Sequence, residues 1–320
     1  MSYKKLLIII SITILSALSL SAQKSAVTYN FSGGRFGDNL LSYCRAKWIS
    51  YKYRIPRLLH RPFYYSDQLM MHVLEEHFDQ NKVQEFKEVI VITPNNVSSI
   101  DPDAGILYVV PYFPESVADR NNQRYPFCFT VDWEDSLFKR ELQKTIAPCR
   151  QLALSFPGVA KDDIKVAVHI RRGTGFDEDF SMLMTMMEGF RLKFVADSYY
   201  IEQLKTIAQL HPNQHIYVYL FTDHTNPQEL ADIYAAAVEC DRMTFACHAS
   251  SNHDVNVLED FFALTVADCL IRTDSNFSIV ASKLGDYQVH ISPACNRIID
   301  GYNVVDAVHI IDRRCSKLHS

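Results

Sequence analysis

From residue 164 onward, short apolar runs alternate with stretches of helical spacing. The runs at 164–171, 215–221, 243–247, 269–272 and 287–291 read as strands, and 196–210, 226–240, 255–267 and 275–284 as helices. Strands that alternate with helices imply parallel β-α-β units. Their crossovers are right-handed, and their ligands sit at the carboxyl ends of the strands. The first half carries the same signal with more interruptions. A strand is expected over 26–31, then a glycine loop, then a helix from Asp38 with Leu41, Cys44, Trp48 and Tyr51 at helical spacing. Residues 55–67 contain Pro56 and Pro62 and read as irregular, 66–86 as mostly helical, and 133–154 as helical. Strands are expected at 89–93 and 106–110, and loops over 111–126. Pro157 and Gly158 mark 155–163 as the boundary between two α/β halves facing a cleft.

The amino terminus reads differently. Lys4 and Lys5 precede a charge-free run over 6–20, and the small residues Ser19, Ser21 and Ala22 follow. This is the order of a secretory signal over 1–22, and the run is short for a membrane span. The rival reading is an uncleaved anchor, which would attach the chain to a membrane. Both readings export it: the chain is expected to be secreted, or held in a secretory lumen or periplasm.

Composition narrows the classes. The 320 residues carry 32 Lys and Arg against 37 Asp and Glu, a formal charge of −5. That balance lacks the cationic excess of a general nucleic-acid binder, so no nucleic-acid partner is expected. Eight cysteines occur without a C-x-x-C pair, which leaves zinc and thioredoxin readings weak and makes any disulfides accessory.

Four segments carry candidate chemistry. The first is the strand end His169-Ile170-Arg171-Arg172-Gly173-Thr174, where alternation puts His169 and Arg171 on one face and Arg172 on the other. A guanidinium at the end of a parallel strand matches phosphate oxygens two at a time. An internal carboxylate would neutralise it equally well, and the pattern leaves both readings open. The second is Ser32-Gly33-Gly34-Arg35-Phe36-Gly37-Asp38-Asn39, a glycine turn into a helix N-terminus that suits an anion, or a plain turn with Asp38 as N-cap. Its glycine spacing is not that of a nicotinamide site. The third runs from Asp260 to Ser278. Asp260 lies off the apolar stripe of a helix, while Ser275 and Ser278 open another helix, with ordinary capping by Asp274 or Ser275 as the alternative. The fourth is the strand end Tyr219–His224, where Asp223 and His224 suggest loop hydrogen bonding more than a catalytic dyad. His248 and His253 read as solvated, and Met182, Met184, Met186 and Met187 as packing.

In this order the four segments resemble the fucosyltransferase superfamily. Gly34-Arg35-Phe36-Gly37-Asp38-Asn39 is similar to the G-R-F-G-N-Q loop of protein O-fucosyltransferases, and His169 through Thr174 to the H-x-R-R-G-D element of α-1,2-fucosyltransferases. The resemblance implies a GT-B-like α/β fold of two Rossmann-like halves. Residues 26–158 would form the acceptor side and 159–320 the nucleotide-sugar side. It implies inverting transfer of fucose from GDP-fucose to a glycan or protein acceptor, with no metal and no cofactor beyond the donor. By position, Arg171 would stabilise the departing diphosphate, and Arg172 would hold phosphate or neighbouring structure. His169 would border the guanine, Asp260 would accept from it, and Ser275 and Ser278 would contact phosphate. Arg35, Asp38 and Asn39 would border the fucose and the acceptor, with Asp38 a candidate base. Asp38-Asn39 and Thr174 depart from the family pattern. They favour the alternative of an exported, catalytically silent relative that binds glycan or protein. A phosphate-ester hydrolase built on Arg171, His169 and Asp223 lacks a nucleophile or metal set.

Overall fold

The computed structural model describes residues 24–31, 34–93, 95–111, 116–118, 124–126, 131–154, 156–172, 192–249, 256–299 and 302–314. The expected signal over 1–22, the pair Ser32-Gly33, Gly173-Thr174, the methionine cluster and His253 lie outside them. Among the described residues no helix is long and apolar enough to cross a membrane. The chain divides into two compact units, Met1–Cys149 and Arg150–Ser320. The division falls ahead of Pro157 because the chain around 148–149 turns back onto the first unit. Cys149 N–H donates to the Gln68 carbonyl (2.8 Å), and Pro148 bridges Leu69.

The first unit is built on a parallel sheet of β1 (Ala26–Tyr29), β2 (Arg57–His60), β3 (Glu76–His77), β4 (Glu88–Val91) and β5 (Ile106–Val110). Their spatial order is β3-β2-β1-β5-β4. All four residues of β1 are buried, as expected of a strand flanked by parallel neighbours and covered on both faces. Helix α1 (Phe36–Lys52) packs on β1 and buries Leu40, Leu41, Cys44 and Trp48. After the short helix α2 (Met71–Leu74) comes α3 (Ser136–Ile146). Its N-cap, Asp135, accepts from Leu137 N–H (2.9 Å) and Phe138 N–H (3.0 Å). Phe138 meets Trp48 edge-on at 4.9 Å and lies 5.3 Å from Tyr51, which joins α3 to α1.

Three expectations for this unit change. Residues 55–67 contain a strand, β2, immediately after Pro56; its Leu58, Leu59 and His60 are buried beside β1, a partnership that local sequence does not reveal. The stretch 66–86 is not one helix but two 3-10 turns, α2 and β3, because the edge of β2 captures Glu76 and His77 as a strand. Within 111–126, Ser116–Ala118 (β6) and Arg124–Pro126 (β7) pair as an antiparallel hairpin.

The second unit contains β8 (Ile164–Ile170), β9 (Ile216–Thr222), β10 (Met243–Cys247), β11 (Cys269–Ile271), β12 (Val289–Ile299) and β13 (Tyr302–Asp312). The order β10-β9-β8-β11-β12-β13, counted from the unit's own first strand, is 3-2-1-4-5-6. The first five strands are parallel, and β13 is antiparallel to β12. Six of the seven residues in each of β8 and β9 are buried, the mark of a sheet covered on both sides. The covering helices are α4 (Asp197–Leu210), α5 (Pro227–Val238), α6 (Val257–Val266) and α7 (Asn276–Leu284). Tyr200, Leu204 and Ile207 of α4 and Leu230, Tyr234 and Val238 of α5 join the strand residues in one core. The β12–β13 hairpin extends well past the strand expected at 287–291. Its second arm has apolar pairs at 304–305, 307–308 and 310–311, a three-residue period that fits neither the helical nor the strand template.

Replacing Phe138 by Ala removes the ring between α1 and α3. We expect a loss of about 3–5 kcal/mol in urea unfolding, the usual cost of emptying an aromatic core site. A change within experimental error would contradict this packing.

Candidate functional site

A sheet of order 3-2-1-4-5 has its topological switch point between its first and fourth strands, and ligands of such sheets lie in the crevice beyond the carboxyl ends there. In the second unit those strands are β8 and β11. Each ends in arginine: Arg171 follows β8 by one residue, and Arg172 comes next, while Arg272 follows β11. Parallel pairing of β8 with β11 therefore brings two guanidinium-bearing ends to the switch point.

Asp223, at the end of β9 and 7% exposed, organises the arginine turn. One oxygen accepts from Arg172 N–H (2.6 Å), and the other lies 2.6 Å from Arg171 Nη1. The internal-carboxylate reading of Arg171 is thus realised in the structure. A guanidinium has five N–H donors, and this ion pair engages it at Nη1. Arg172 turns the other way, into the α4–α5 layer. Its Nη2 pairs with Asp197 and donates to Tyr234 Oη (3.3 Å), and Tyr234 Oη donates to Asp197 (2.5 Å). Of its two expected roles, holding structure is the one these contacts describe.

Arg272 is nearly buried. Its Nε donates to His290 Nε2 (3.1 Å), its Nη1 to the Thr273 carbonyl (2.9 Å), and Asp274 lies 3.6 Å away. Burial lowers its pKa, with Asp274 opposing. His169 stacks on Phe277 of α7 (5.5 Å, 27°). Burial, reinforced by Arg171, Lys193 and Arg272, lowers its pKa to about 3, so it stays neutral among cations. Its Nδ1, like Thr273 Oγ1, is buried without a hydrogen-bond partner. Buried unpaired polar atoms are uncommon and concentrate at working sites. Ser275 is the N-cap of α7 but makes no side-chain cap bond. Ser278 is fully buried and donates to the carbonyls of Ser275 (3.2 Å) and Thr273 (3.3 Å).

Asp260 lies in the first turn of α6 and accepts from His248 Nε2 at 2.6 Å. The carboxylate raises the His248 pKa, so this histidine is a partner of Asp260 rather than a solvated side chain. His224 bonds within its own loop, its Nδ1 lying 2.9 Å from the Asn226 carbonyl, and makes no dyad with Asp223. Sequence reasoning assigned no role to Arg272, Lys193 and His290, and read His248 as solvated. The one available signal was Arg272 at a short strand's end, the placement already noted for Arg171. Among the described residues, no group of three or more His, Cys, Asp or Glu is placed to hold a metal ion.

The first unit presents its own carboxyl edge. Helix α1 begins at Phe36, two residues ahead of the expected Asp38, with Arg35 as N-cap. Asp38 therefore sits in the first turn, where a carboxylate suits the helix dipole, and is not the cap. It folds back over Gly34: a Cβ built there would lie 2.5 Å from Asp38 Cγ and 2.7 Å from its Cβ. Asn39 Nδ2 donates to the Gly34 carbonyl (3.2 Å), while its Oδ1 is buried without a hydrogen-bond partner. Arg35 is exposed.

No family model matches the chain, and no curated protein matches its sequence. Solved structures do. A mutant of Arabidopsis thaliana FUT1 in complex with GDP is 13% identical over 90% of this chain and 74% of its own, with a TM-score of 0.53. NodZ α-1,6-fucosyltransferase soaked with GDP-fucose is 11% identical over 91% and 99%, TM-score 0.46. POFUT1 in complex with GDP-fucose is 11% identical over 84% and 96%, TM-score 0.45. The chain has a mixed α/β fold like that of GT-B-type fucosyltransferases, as the resemblance implied.

Buried neutral histidines make acid stability a readout of this edge. His169 and His290 here, and His60 in the first unit, each have a pKa lowered to about 3, chiefly by burial. An unfolded histidine takes a proton near pH 6.5. Their contribution is therefore complete above that pH and is lost as pH falls from 6.5 towards 3. Each costs about 1.4 kcal/mol per pH unit well inside that window. Urea midpoints should fall steeply between pH 6.5 and 4.5, and His290→Gln should flatten the slope; a level profile would contradict neutral burial. Separately, Gly34→Ala should displace Asp38, seen as a shift of its carboxyl carbon resonance by NMR.

Proposed function

We propose that the chain is a glycosyltransferase that takes fucose from GDP-fucose and passes it, with inversion, to a hydroxyl of a glycan or protein. The observation that carries this is the pair of guanidinium-bearing strand ends, Arg171 and Arg272, flanking the switch point of a 3-2-1-4-5 sheet. In the transfer, the bond from the sugar's anomeric carbon to the β-phosphate oxygen breaks. A bond from the acceptor oxygen to that carbon forms on the opposite face, and GDP leaves with the electron pair. Charge grows on the diphosphate as it departs, and cations fixed in advance stabilise it without reorganising. Arg171, and with it Arg272, would serve there. Arg172 would hold the turn, His169 and Asp260 would border the base, and Ser275 with Ser278 would line the phosphate end of α7. Arg35, Asp38 and Asn39 would border sugar and acceptor, with Asp38 taking the acceptor proton. Export would place the reaction in a compartment supplied with nucleotide sugar, such as a eukaryotic secretory lumen.

A second reading has its own observation. Arg171 is paired with buried Asp223, as a guanidinium kept only for structure would be. On that reading the chain is an exported, catalytically silent relative that binds glycan or protein.

Calorimetric titration with GDP tests the proposal. Binding is expected, weakened about tenfold or more by Arg171→Ala, a loss of roughly 1.4 kcal/mol or above. No binding at millimolar GDP would overturn it. Donor hydrolysis across GDP- and UDP-sugars separates the readings, since the silent relative binds without turnover.

A further inference from the structure

The first unit carries an aromatic cluster that the donor chemistry does not use. We propose that Tyr64 and Tyr65, backed by Phe63, Phe36 and Phe31, form a platform for a sugar ring of the acceptor. The proposal rests on the glycosyltransferase reading and names the acceptor class as a glycan.

The placement follows from topology. Phe31 lies just beyond the carboxyl end of β1, Phe63–Tyr65 just beyond that of β2, and Phe36 opens α1. Parallel pairing brings all three segments to one edge of the sheet, where ligands of such sheets lie. The rings are continuous: Phe63 meets Phe31 (6.0 Å) and Phe36 (6.1 Å), Phe36 meets Tyr65 (6.2 Å), and Tyr65 meets Tyr64 edge-on (4.5 Å). Phe36 is buried, and Phe31, Phe63 and Tyr65 are half-buried, as ordinary packing would have them. Tyr64 is not buried: at 71% it is the most exposed large hydrophobic side chain among the described residues.

The backbone turn that carries the pair is fixed. Tyr65 has φ 71°, ψ −4°, a left-handed backbone that a bulky residue rarely adopts and that concentrates at binding sites. Ser66, fully buried, locks the turn. Its Oγ accepts from Phe63 N–H (2.9 Å), and its N–H donates to the Phe63 carbonyl (2.9 Å). A tyrosine has only two side-chain torsions to order, and on a fixed backbone turn it binds a ligand at low entropic cost.

The surroundings favour a carbohydrate. A pyranose has an apolar C–H face and a hydroxylated rim, so it needs an aromatic face bordered by polar groups. Of the residues adjoining these aromatic segments in sequence, the charged Arg35 and Asp67 are exposed. Asn39, at i+3 from Phe36 and hence on the same side of α1, holds the buried acceptor Oδ1 that has no hydrogen-bond donor.

The test uses the full chain and four probes: lactose, N-acetyllactosamine, chitobiose and mannotriose. Saturation-transfer NMR and titration should show binding of at least one. Tyr64→Ala should weaken it about tenfold or more, as loss of a central aromatic anchor does, and Tyr64→Phe should keep it. GDP affinity should be the same in all three proteins. Should none of the four sugars bind, Tyr64→Ala bind them as wild type does, or a sugar-free Ser/Thr peptide depend on Tyr64 instead, the platform is refuted. Loss of GDP binding in the wild type would instead strike the glycosyltransferase reading, leaving Tyr64-dependent sugar binding as direct support for the platform.

Discussion

The second unit depends on a single carboxylate. Asp223 closes β9 and fastens the turn that leaves β8, by one oxygen to the backbone of Arg172 and by the other to the guanidinium of Arg171. Burying a guanidinium is costly unless a counter-charge meets it. The clamp meets that cost and aims the side chain at the same time. It also sends Arg172 to the other side of the strand, where Asp197 and Tyr234 receive it. One arginine becomes part of the frame, and the other stands at the switch point.

The edge of the second unit tolerates its charge through neutral histidines. His169 lies among Arg171, Lys193 and Arg272, and His290 among Arg272, Lys283 and Arg313, and burial keeps both rings neutral. Neutral His290 can then accept from Arg272 Nε, which an imidazolium could not. The first unit solves a different problem at its own edge, where Asp38 packs onto Gly34 and Ser66 pins a left-handed tyrosine. Both edges are set by backbone positions that leave little freedom.

Much of the second unit was legible along the chain. β9 is a near-continuous apolar run, and β8 is one interrupted only by Lys165 and His169, the form that a doubly covered parallel strand takes. The Arg171–Arg172 pair stood out because a charge at the end of such a run has to be explained. Less could be read where a short strand owes its existence to a neighbour. β2 and β3 have four and two residues, too few to show a period, and they form because β1 and β2 offer edges. β13 was hidden by its three-residue spacing of apolar pairs.

The sequence alone determined the alternation of strand and helix, and with it the parallel α/β class, since burial on both faces demands apolar runs and helical stripes that cannot be disguised. It also determined which side chains could carry charge to a strand end. Tertiary structure alone decided their partners. Arg171 finds Asp223 across 52 residues, Arg172 finds Asp197 and Tyr234 across 25 and 62, and Arg272 finds His290 across 18. Those pairings follow from the order in which parallel strands lie side by side. That order is a property of the packed sheet, because crossovers of similar length can place the next strand on either side.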